Sequence, residues 1–291
     1  MSFISYLISG ISLGSIYALI ALGYTMVYGI AKMLNFAHGD IIMVGGYAVF
    51  TAMSTAWCPV WLSVIIGIVV CTVLGVVIEK VAYKPLRNAP PLAVLITAIG
   101  VSYLLQNLAL IIFGSQQKAY PSLIELSSFT IGGVTVDGIS VLTLLMTALI
   151  MVVLSFFINK TKLGKAMRAV SEDKNAASLM GISVNRTITL TFAIGSALAA
   201  FASIFYGMSY VYIKPTTGAM PGIKAFTAAV FGGIGSIPGA VIGAFIIGIC
   251  ETLIKGTSMT VFSDAFTFAL LIVILVVKPT GLFGEKATDK V

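Results

Sequence analysis

Apolar residues in this chain run on without interruption, and the charged residues are confined to the gaps between the runs. A helix needs about 20 such residues to cross a hydrocarbon core of about 30 Å, whereas the strands of a membrane barrel alternate apolar and polar positions. The pattern therefore predicts transmembrane helices and excludes a barrel. Residues 2–31 form the first run, free of charge, with Gly10 and Gly14 at the spacing that lets helix backbones approach in lipid. Residues 41–78 are also uncharged, but Trp57, Cys58 and Pro59 divide them, predicting spans over 41–56 and 60–79. Further spans are predicted over 92–113, 138–158 and 187–213, and a short last one over 262–277.

The stretch between the last two is different. Residues 225–250 carry no charge, yet Gly232, Gly233, Gly235, Pro238 and Gly239 interrupt them. A helix over 225–234 is only about 15 Å long, too short to cross, and non-helical backbone at that depth is tolerated only against protein or a water path. A hairpin of two short or re-entrant helices is expected over 225–256, turning near 235–239. It serves either as a close-packing element or as a wall of a pathway.

Lys and Arg in short loops stay on the cytoplasmic side. Lys80, Lys84 and Arg87 mark one such loop, and Lys160, Lys162, Lys165, Arg168, Lys174 and Arg186 mark a stronger one over 159–186. The connection 114–137 has one Lys against Glu125 and Asp137 and belongs outside. Counting spans puts the N-terminus outside and the tail, with Lys278, Lys286 and Lys290, inside. The hairpin must then begin and end on the outer side.

Composition narrows the function. Of 291 residues 59% are hydrophobic and 9% charged, so the whole chain, 1–291, reads as a single membrane-spanning domain with no room for a soluble enzyme module. The net charge of +7 resides in the basic loops and signals topology, not nucleic acid. Cys58, Cys71 and Cys250 match no zinc spacing and form no disulfide framework. The first basic residue is Lys32, so residues 1–31 lack the charged start of a secretory signal and the first helix is expected to be retained. No phosphate-binding loop, metal-ligand cluster or nucleophile motif accompanies the single histidine, so catalytic residues and cofactors are not expected in this chain.

Polar residues near membrane depth are the remaining candidates. Asn35, His38 and Asp40 fall between the first two spans, where they either cap the second helix at the cytoplasmic edge or belong to an inner gate. Gln106 and Asn107 sit deep in the fourth span, to bond neighbouring helices or line a pathway. Glu79, Glu251 and Asp264 fall near span ends, within reach of water, and leave no buried carboxylate or lysine to couple an ion-driven secondary transporter.

The basic loop contains a short helix of its own. Ser171 is positioned as N-cap, Glu172 and Asp173 sit in the first turn, and Gly181 is placed as the left-handed C-terminal cap. Ala176, Ala177, Leu179 and Met180 give it one small apolar face, either a docking surface for a partner or a face lying in the headgroups. The loop from Gly164 to Ile182, GKAMRAVSEDKNAASLMGI, resembles that of the LivH-type permease subunits of branched-chain amino acid ABC importers. So does the run from Gly23 to Asp40, GYTMVYGIAKMLNFAHGD, and the similarity covers essentially the whole chain. Asn175 stands where the looser ABC-importer pattern carries Glu.

The resemblance implies an all-α polytopic helical bundle in a bacterial cytoplasmic (inner) membrane. It makes 171–181 the coupling helix that enters a groove of an ATPase subunit. It also implies a second related permease chain, two ABC ATPase subunits that hold ATP and Mg, and a periplasmic or extracellular binding protein that delivers leucine, isoleucine or valine. Related permeases carry urea, amides or other amino acids.

Overall fold

The computed structural model describes residues 3–284, apart from 56, 132, 133 and 258. Helix α1 (Phe3–Ala31) is apolar all round, so no face of it prefers solvent, and it becomes the axis of the bundle. Short α2 (His38–Met53) follows. Next come α3 (Val60–Ile78), extended by a π turn over Glu79–Tyr83 and a 3₁₀ turn over Lys84–Leu86, and α4 (Pro91–Phe113). Three strands, β1 (Lys118–Ala119), β2 (Phe129–Ile131) and β3 (Val134–Val136), fill the next connection. Helix α5 (Gly138–Lys160) leads into α6 (Lys162–Glu172), α7 (Lys174–Leu179) and the long α8 (Val184–Tyr210). The last part comprises β4 (Tyr212–Ile213), α9 (Ala219–Gly232), α10 (Ile237–Lys255) and α11 (Ser263–Val277).

Among the described residues seven helices, α1, α3, α4, α5, α8, α10 and α11, are long and apolar enough to cross a membrane. The loops rich in Lys and Arg gather at one end: Arg87 meets Asn185, and Gly233 packs on Gly284 just beyond Lys278. At the opposite end β1 pairs antiparallel with β4, Lys118 opposite Ile213, tying the long connection to the end of α8. This agrees with the loop assignment; Lys286 and Lys290 lie outside the described residues.

The centre is packed through glycine. Gly10 and Gly14 of α1 face Ile249 and Phe245 of α10, and Gly248 of α10 returns the contact onto Gly14, so any Cβ here would strike backbone. Small residues let the two backbones approach to where dispersion and polar contacts, not the hydrophobic effect, hold helices together in lipid.

Two expectations need correction. The second helix starts at His38 rather than 41, and it does not start at the edge: Gly23 of α1, eight residues and about 12 Å before Ala31, lies against the His38 ring. The hairpin also has unequal arms. Helix α9 is 14 residues, about 21 Å, and begins within the bundle where Gly218 abuts Gly39, not at the outer side. Helix α10, with 19 residues, is a full crossing. The turn at Gly233–Ser236 lies at the basic end beside Gly29, sheltered from the opposite side as expected, with Gly233 and Gly235 at φ of +106° and +104°. Ser236 caps α10 by accepting from the Gly239 N–H at 3.2 Å.

Candidate functional site

Two regions carry polar groups that the fold alone does not demand. The first is the buried junction where α2 and α9 begin. Gly39, Gly218 and Gly222 bring the two helix starts into backbone contact, so both sets of free N–H groups and both positive dipole ends point into one region. Asp40 is buried there in the first turn of α2, and its Oδ1 accepts from Gln106 Nε2 at 2.9 Å. Gln106 Nε2 also lies 3.2 Å from Ser102 Oγ, so α4 is joined to α2 through a three-residue polar seam.

His38 is 1% exposed, its ring 4.7 Å from that of Tyr24, and neither ring nitrogen has a hydrogen-bond partner among the described residues. Asn35 Oδ1 accepts from Tyr83 Oη at 2.8 Å, which ties the α1–α2 link to the π turn, while Asn35 Nδ2 is left without a partner. Neither Asn35 nor Asp40 caps α2, whose N-cap position is Ala37 without a side-chain bond. The capping account at the cytoplasmic edge is therefore replaced by one in which all three residues are buried inside the bundle. Asn107 is not brought to this junction: it faces outward on α4, and its Nδ2 donates to the Tyr103 carbonyl at 2.7 Å.

The second region is the basic loop, which folds as two helices where one was expected. Thr161 caps α6 by accepting from Gly164 N at 3.0 Å, and Met167 and Val170 turn inward. Ser171 is not an N-cap: its hydroxyl donates to the Arg168 carbonyl, and Glu172 is the last residue of α6. Asp173 caps α7 instead, its Oδ1 accepting from Asn175 N at 2.7 Å and Ala176 N at 3.0 Å. Asp173 wins because a carboxylate at the cap both accepts these bonds and meets the positive dipole end. Gly181 does close the helix, at φ +81°. The expected apolar face is split. Ala177 is buried in the core of this chain, Ala176 is exposed, and Leu179 and Met180 project outward at 89% and 82% exposure.

Sequence reasoning missed a cluster of ions. Lys224, taken as the boundary of a span, lies inside α9, buried, with Nζ 2.6 Å from Glu251 Oε1 and 2.6 Å from Asp264 Oδ1. Glu251 is 1% exposed and also takes Lys255 at 2.6 Å and Tyr17 Oη at 2.9 Å. Glu79, on the π turn, is likewise buried, held by Arg87 and by Thr189 Oγ1 at 2.7 Å. Of the three carboxylates expected to meet water only Asp264 does, with a side chain 47% exposed. The single cation inside an apolar stretch was the available signal; its partner lies 27 residues away.

A family profile described as branched-chain amino acid transport system / permease component matches residues 6–275. The high-affinity branched-chain amino acid transport system permease protein LivH of Salmonella typhimurium (strain LT2) is 44% identical over 302 residues, covering 99% of this chain and 98% of its own. Pseudomonas aeruginosa BraD, described in the same words, is 42% identical over the same shares. Among solved structures, PsaBC from Streptococcus pneumoniae in complex with Fab aligns at a TM-score of 0.48 and 16% identity, over 96% of this chain and 93% of that one.

Proposed function

This chain belongs to the family of branched-chain amino acid transport system permease components, and from that premise we propose that it is the membrane permease of an ATP-driven importer for leucine, isoleucine and valine. The observation that carries the reading is the near full-length identity to LivH and BraD. It is a multi-pass protein of the cytoplasmic membrane, where a second permease chain completes the path, two ATPase subunits supply energy, and an external binding protein delivers the amino acid. ATP hydrolysis falls to the separate subunits.

The geometry gives each part a role. Leu179 and Met180 are the groups that enter the ATPase groove, since they project from the basic end on a helix held rigid by the Asp173 cap and Gly181. Ala177 fixes α7 to its own bundle from the inside. At the junction, His38, Asn35 and the starts of α2 and α9 offer unpartnered hydrogen-bonding groups inside an otherwise apolar bundle. Helix N-termini at membrane depth favour a carboxylate, which every amino acid carries. These residues act as a gate, so substitutions there change rate more than ranking among the three amino acids.

The test is uptake of labelled leucine, valine and urea by cells lacking the gene and by proteoliposomes holding the complex with ATP inside. Loss of leucine and valine uptake with urea unaffected, and dependence on internal ATP, are expected. Unchanged leucine uptake, or accumulation driven by an ion gradient alone, would overturn the reading.

A further inference from the structure

Four helices form the rim of the bundle and leave most of their surface uncovered: α3, α4, α5 and α11. Their outward faces are not alike. At mid-length α3 shows Ile65, Val69, Val73 and Val77; α5 shows Leu145, Leu149, Val152 and Phe156; α11 shows Phe266, Ile272, Val273 and Val276. These are hydrocarbon surfaces suited to acyl chains. Helix α4 instead turns Gly100, Tyr103 and Asn107 outward. At 100° per residue these three surround the direction opposite the packed stripe of Val94, Ala98 and Ala109.

Resting on the reading of a permease that works with a second one, we infer that this face of α4 is where the second permease chain docks. An amide in hydrocarbon has no water to bond, and polar side chains within spans accordingly face protein or an aqueous cavity. Asn107 donates one N–H to its own helix at Tyr103, and among the described residues its Oδ1 accepts from no donor. It lacks what a neighbouring helix supplies. A Cβ on Gly100 would meet nothing within 4 Å, so a partner backbone has room to approach at that level. On the flank of the same helix α2, α3 and α4 leave an apolar cleft of about 530 Å³, lined by Tyr47, Val70, Leu105, Leu108 and Phe113, able to receive a large apolar side chain from the partner. Behind the face runs the Asp40–Gln106–Ser102 seam, so the contact sits directly over the polar junction described above.

The experiment places the photo-crosslinking residue p-benzoylphenylalanine at Tyr103, and at Phe156 and Phe266 as controls, in the complete importer in native membranes. An adduct with the second permease chain from Tyr103 and only lipid adducts from the controls are expected. Asn107→Leu should lower recovery of the second permease several-fold with the level of this chain unchanged. Copurification of the parental complex separates the two ideas. If a second permease is recovered but Tyr103 captures only lipid, or a control position captures the permease, the α4 assignment is overturned and the importer reading stands. If none is recovered, both fall.

Discussion

Helices α9 and α10 and helix α4 solve one problem in opposite ways. Both place polar groups where water is absent. In the first, Lys224, Glu251, Tyr17, Lys255 and Asp264 answer one another within the chain, drawing four helices together. In the second, Gln106 is satisfied inward by Asp40 while Asn107, one residue on, is turned out. The difference teaches that a polar residue at membrane depth has two meanings: completed internally it holds the subunit together, and left open it marks where the subunit ends and its assembly begins.

Experiments on stability should separate the two most sharply at Glu251. Glu251→Leu strands Lys224 in the interior, and breaking a buried pair from one side costs about 3–5 kcal/mol. A large drop in folded yield and in Tm in detergent is expected, partly restored by adding Lys224→Met. A double variant no better than the single would show that the cluster does not act as a unit. Gln106→Leu comes next, since it removes the donor to buried Asp40, a loss of about 1–3 kcal/mol for a buried acceptor left without its partner. It should lower Tm less than Glu251→Leu and slow transport. An equal or larger loss would erase the distinction between the two regions.

At the surface, stability and function should part. Met180→Asp and Leu179→Asp change exposed residues and should move stability by no more than about 0.5 kcal/mol. ATPase subunits should nevertheless copurify poorly and uptake should collapse. Normal uptake would remove α7 from the coupling role. The smallest effect is expected from Leu149→Ala on α5, within about 0.5 kcal/mol and with assembly intact. A loss of the second permease from that variant would move the docking face from α4 to α5.

Much of the architecture was legible in the sequence because long apolar runs and clustered Lys and Arg are governed by the bilayer, which acts on every residue alike. The spans, the gathering of basic loops and the Gly181 cap all follow from such local rules. What escaped depends on distant partners. The start of α2 reads as a loop because Asn35, His38 and Asp40 are polar, and only Tyr83, Tyr24 and Gln106 show why they are buried. The pairing of β1 with β4 has no sequence signal, each strand being two residues long. Ser171 and Asp173 both suit a cap, and the choice between them depended on α6 continuing to Glu172.

The contact of α1 with α10 has a consequence for how the protein is made. The Tyr17 hydroxyl finds its acceptor 234 residues later, and Gly10 and Gly14 find their facing backbone equally late. A ribosome delivers α1 to the membrane first, at about 5–20 residues per second, so this helix waits many seconds with its groove open before the chain that fills it emerges. Chains that stop short of Glu251 expose that groove indefinitely. The first helix thereby reports whether the last third has been synthesised, and truncated products should be short-lived in the cell.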